Sequence, residues 1–120
     1  MVKVQIVSSK KFIFKEKNFN NVIIIFIYEG EVSTIISLKE LVNFIKRNLS
    51  RRQIIVYPCF SRGWRLEKAV LNIALRLHTM LTESGMKVDF IYPNYERSFI
   101  LIPSSNRYLI LEAEVKYNQR

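Results

Sequence analysis

The run Val22-Ile-Ile-Ile-Phe-Ile-Tyr28 restricts the fold of this chain more than any other segment. A strand with one wet face alternates apolar and polar residues, and this one does not alternate. Both of its faces must therefore be covered, which places it in the interior of a sheet. At seven residues it falls well short of the ~20 needed to span a bilayer as a helix. The segment Gln53-Ile-Ile-Val-Tyr57 repeats the pattern and predicts a second interior strand, closed by Pro58.

Helical spacing appears twice. Ser37-Leu-Lys-Glu40 reads as a capping box opening a helix over 38–49, with Leu38, Leu41, Val42, Ile45 and Leu49 inward. A longer helix carries Leu66, Val70, Ile73, Leu77, Met80 and Leu81 at the same spacing and stops at Gly85. Alternation predicts an N-terminal strand at Val2, Val4 and Ile6 and a partner strand at Phe12 and Phe14. Glu29-Gly30 turns the chain, and Val32 to Ile36 is expected to return antiparallel. Three further strands follow, over 87–92, 97–103 and 107–116, with turns at Pro93-Asn94 and Ser104-Ser105-Asn106. The expectation is a single α/β (α+β) domain over 1–120, a mixed and largely antiparallel sheet with two main helices packed on it.

At 120 residues and 49% apolar, the chain is long enough to bury a core without staples. Three glycines and three prolines leave regular structure dominant. One cysteine, Cys59, excludes an intrachain disulfide and a Cys-rich zinc site, and one histidine, His78, argues against a His-rich one. A reducing, cytoplasmic location is expected, with no membrane segment and no signal peptide.

Charge is unevenly spread. Lys46, Arg47, Arg51, Arg52, Arg62, Arg65 and Lys68 are opposed within their stretch by Glu67 alone, in a chain of net charge +9. Wet faces ordinarily mix signs. One that does not attracts phosphates through counterion release, so a nucleic-acid partner, DNA or RNA, is expected there.

Two patterns could carry chemistry. Glu112, Glu114 and Lys116 fall on one face of the last strand. Glu-x-Lys on a strand, with an acid on a neighbouring strand, resembles the core motif of the PD-(D/E)XK nucleases. That resemblance implies that carboxylates hold Mg²⁺ while the lysine stabilises charge at the attacked phosphate. It assigns the metal to Asp89, Glu96 and Glu114, catalysis to these with Lys116, and a helix-borne glutamate to Glu67. A three-residue turn at Ser104–Asn106 would set Glu96 opposite Glu114, and a two-residue turn would send it to the other face.

The second pattern is Cys59-Phe-Ser-Arg-Gly-Trp-Arg65, between a buried strand and a helix. It is similar to the phosphate loop of cysteine phosphatases and rhodanese-like proteins, which implies a thiolate nucleophile and an arginine clamp. It departs from the phosphatases at Arg62, where they carry glycine, and at Leu66, where they carry a hydroxyl. A phosphate- or nucleotide-binding loop without catalysis is the milder version. Trp64 and Phe60 read as core closure or as stacking platforms, and His78 as an ordinary helix residue. A third reading is a homodimer, an interaction subunit without chemistry that uses an exposed strand edge.

Overall fold

The computed structural model describes residues 1–59, 67–92 and 99–116. Within them lie seven strands and two helices: Val2–Phe14 (β1), Lys17–Glu29 (β2), Ile35–Ser37 (β3), Leu38–Leu49 (α1), Gln53–Pro58 (β4), Glu67–Glu83 (α2), Val88–Phe90 (β5), Phe99–Pro103 (β6) and Leu109–Lys116 (β7). The strands form one mixed sheet ordered β3-β7-β1-β2-β4-β5, with β6 also paired to β1. The fold is α+β, as the periodicities predict.

β2 is interior, between β1 (antiparallel) and β4 (parallel). Val22, Ile23, Ile24, Ile25 and Ile27 are fully buried. Each such side chain gives roughly 1.5–3 kcal/mol of transfer free energy, which an edge position would forfeit. Both helices pack on one face, where Ile23, Ile25 and Val56 meet Leu41, Ile73 and Leu77. The capping box at Ser37 and Glu40 is formed in both directions. Gly85, at φ 84°, ends the segment after α2 in the left-handed conformation that glycine adopts freely.

The opposite face is covered by the chain's own hairpin. Gln5, Phe26 and Tyr57 stand side by side across β1, β2 and β4. Phe12 is seven residues beyond Gln5, about 23 Å along a straight strand. Yet its ring lies 6.2 Å from that of Tyr57, and the ring of Phe14 lies 5.6 Å from it. The distal half of the β1–β2 hairpin, with β6 beside it, is therefore folded back as a second layer. It encloses a second core of Val7, Phe12, Phe14, Ile24, Ile55 and Tyr57.

The fold-back has a local cause at Lys10 and Asn21. Before them Val7 and Val22 face the second core; beyond them Phe12 and Phe19 do, so the inward parity of both strands changes there. Asn21 takes φ 52°, a left-handed conformation that asparagine tolerates better than most residues. On the other side of β1, Lys10 is an extra residue relative to β6, a bulge that bends the strand. Buried Ser9 donates its hydroxyl to the carbonyls of Lys11 (2.6 Å) and Ile102 (3.1 Å), satisfying acceptors at the corner. Arg52 latches it from the turn before β4, donating to Asn21 O at 3.4 Å and Ser8 Oγ at 3.3 Å.

Three sequence expectations are corrected. The strands at 2–6 and 12–14 are one bent strand, partnered by β2 along its whole length. The segment after Gly30 does not return against Val22–Tyr28, whose two edges β1 and β4 already occupy. It pairs instead, as β3, in parallel with β7. Finally, β6 and β7 are not partners. Both run antiparallel to β1, end to end, so neither alternative turn register at Ser104–Asn106 applies.

Candidate functional site

The sheet has two distinct ends. Parallel β2, β4 and β5 begin at one of them, where α1 runs into β4 and α2 into β5. Lys46 and Arg47, in the last turn of α1, lie at this end together with Arg51 and Arg52 of the α1–β4 turn. The hairpin corner brings Lys10 and Lys11 to it, since Arg52 bonds directly to Asn21 and Ser8. Lys87 joins them just before β5, its carbonyl accepting from Ile54. Lys10, Lys46, Arg47, Arg51 and Lys87 are exposed, and none is ion-paired among the described residues. A shallow concavity of about 320 Å³ beside the corner is lined by Lys10, Lys11, Asn20, Asn21 and Ile102.

The basic stretch seen in the sequence is thus divided. Lys68, in the first turn of α2, sits at the opposite end, about 25 Å away along a helix of 17 residues. Arg62 and Arg65 lie outside the described residues, as do Phe60 and Trp64.

The carboxylates of the nuclease-like pattern are separated too. Glu112 and Glu114 do share a face of β7 with Lys116, opposite the helix-facing Ala113 and Val115. Glu67 belongs to α2, a helix of the other face. Asp89 lies on β5, four strand spacings from β7, or about 19 Å. It accepts from the Gln53 amide at its own edge. Glu96 is outside the described residues, and among those described no three His, Cys, Asp or Glu side chains gather closely enough to hold a metal ion. Glu114 is only 6% exposed.

A second constellation was not apparent from sequence. On the face away from the helices, Lys3 Nζ lies 3.4 Å from Glu112 Oε2 and 5.3 Å from the centre of the Tyr28 ring. Desolvation lowers the pKa of the Lys3 ammonium, but the Tyr28 hydroxyl and the Glu112 carboxylate outweigh it and hold the pKa above the usual lysine value. Gln5 Nε2 donates to the same Glu112 oxygen at 3.0 Å, and Tyr28 donates to Gln5 Oε1 at 3.4 Å. These groups border a concavity of about 290 Å³ lined by Gln5, Phe26, Tyr28, Cys59 and Phe99.

Cys59 is buried where it lines that concavity, its thiol donating to Tyr57 O. The rest of the phosphate-loop pattern lies outside the described residues. His78 is half-buried, edge-on to Phe90 at 5.6 Å. Among the described residues no helix is long and apolar enough to cross a membrane.

The adjacent Lys10-Lys11, interrupting the apolar alternation of β1, and Asn20-Asn21 facing them were the signals of the corner. Comparison with known protein families finds no matching family, and no curated protein matches the chain.

Proposed function

We propose that this protein binds nucleic acid through the basic end of its sheet. The reading rests on one observation: the Arg52 latch sets the Lys10–Lys11 corner at the same end as Lys46, Arg47, Arg51 and Lys87. Exposed cations without carboxylate partners retain their full counterion-release contribution to binding a phosphate backbone. Phosphate contacts of this kind position a protein without reading sequence, so little base preference is expected from this end alone. Binding is the proposed function, and cleavage is not, because the described carboxylates of the nuclease-like pattern occupy different faces and edges.

The test is fluorescence anisotropy with labelled single- and double-stranded DNA and RNA over a salt series. Affinity is expected to fall steeply with salt. An Arg47→Ala, Arg51→Ala double variant should lower the logarithmic salt slope by about two on duplex DNA. Lys68→Ala, at the far end, should leave the slope unchanged. Salt-insensitive binding, or equal loss in the Lys68 variant, would remove the reading.

Self-association is a second reading, favoured by β6. Among the described residues it is paired with β1 along one edge, and Ile100 and Ile102 are 58% and 44% exposed on it. An apolar strand with an unpaired edge suits antiparallel pairing with a second copy. Sedimentation should show a dimer that Ile100→Lys disperses; a monomer at all concentrations ends this reading.

A further inference from the structure

We infer that the concavity formed by Gln5, Phe26, Tyr28, Cys59 and Phe99 is a binding site for a nucleobase, adenine above the others. The inference goes beyond the polyanion reading and does not depend on it, since this site lies on the sheet face away from the helices.

The chemistry starts with Gln5. An amide has two N–H donors and two acceptor positions on its oxygen. The Glu112 carboxylate, paired with Lys3 at 3.4 Å, accepts from the amide at 3.0 Å and so fixes the NH₂ group on its own side. The Tyr28 hydroxyl supplies a donor to the amide oxygen at 3.4 Å. The amide plane and its orientation are thereby set before any ligand arrives. Among the described residues, these two bonds leave one N–H and one oxygen lone pair of the amide unengaged. That side-by-side donor and acceptor matches the N7 acceptor and N6 amino donor of adenine, the usual bidentate partner of glutamine.

The remaining lining suits a flat ring. Phe26 and Phe99 lie 5.7 Å apart and 30° from parallel, too close to admit a ring between them but forming a continuous aromatic surface. Phe99 is 37% exposed and Phe26 and Tyr28 are half-buried, so a base can lie on their outer faces. A volume of about 290 Å³ is at the small end for ligand sites, right for one base with its sugar outside. Stacking tolerates any base, and the amide edge supplies the discrimination. The base can come from a free nucleotide or from a single strand, and the two sources are separable by experiment.

The experiment is NMR titration of the full chain with adenosine, guanosine, cytidine and uridine monophosphates, and with a short oligoadenylate. Adenosine monophosphate should perturb the signals of Gln5, Phe26, Tyr28 and Phe99, and bind about tenfold tighter than uridine monophosphate. Gln5→Met should abolish that preference, and Phe99→Ala should weaken every nucleotide by about tenfold. Tighter binding of the oligomer than of the monomer, lost in Phe99→Ala, identifies a single strand as the source; equal binding identifies the free nucleotide. If Gln5→Met does not fold, the signal map and Phe99→Ala still decide. Perturbation confined to the Lys10–Arg52 end, or none at all, overturns the proposal while leaving salt-dependent nucleic-acid binding intact.

Discussion

Ser9 shows how much a single side chain can carry when the backbone around it is irregular. It is fully buried, and its hydroxyl satisfies two carbonyls at the bend of β1. Ser9→Ala should destabilise the fold by about 1–3 kcal/mol, since buried acceptors lose their donor; urea denaturation measures it. Asn21 opposite has a different task, holding φ at 52°. Glycine accepts that angle freely, whereas a β-branched residue does not. Asn21→Gly should therefore stay within about 0.5 kcal/mol of the parent, and Asn21→Val should lose about 1–2 kcal/mol. Lys3 bears on pH dependence. Its folded pKa lies above the ordinary 10.5, so its contribution is fully present below that value and is lost as pH rises through the raised one. Lys3→Met should flatten the alkaline limb of the stability curve and leave the profile below about pH 9, roughly one and a half units under that onset, unchanged.

At the level of elements, α1 follows its sequence most closely. Ser37 and Glu40 form the reciprocal cap, and the stripe from Leu38 to Leu49 is buried as its spacing requires. Ser37→Ala should cost about 1 kcal/mol, read as a shift in denaturation midpoint with an unchanged m-value. The strands depend more on their partners. β3 has only three residues and pairs with β7, more than seventy positions later in the chain. Nothing in Ile35-Ile-Ser37 distinguishes that partner from the nearer β2. β6 and β7 illustrate the same point. Ser104 and Tyr108 both bond to Ser8, so the loop between the two strands passes along β1 and does not reverse the chain.

For the whole molecule, the consequence of the bent hairpin is a sheet covered on both sides with two helices among the described residues. The helices take one face, and the folded-back half of β1–β2 with β6 takes the other. This arrangement covers both faces of the interior strands although the described helices lie on one face. It also separates charge, drawing Lys10 and Lys11 toward Arg51 and Arg52 while leaving Lys68 at the opposite end. Affinity for nucleic acid should accordingly fall in Lys10→Ala as it does in Arg51→Ala, about severalfold at moderate salt, although these residues lie forty-one positions apart in the chain.

The fold class, both helices, their inward faces and the interior position of Val22–Tyr28 followed from residue spacing alone, because those features are local or follow from burial on both faces of one segment. Strand partners, the register of the final two strands and the site that groups Lys3, Gln5, Tyr28 and Glu112 did not. Pairing between distant strands is chosen by which edges remain free once the rest of the sheet has formed, and that competition is a property of the assembled chain. The corner at Lys10 and Asn21 falls between the two: a break in alternation marks it locally, but only a second layer to pack against turns such a break into a fold-back.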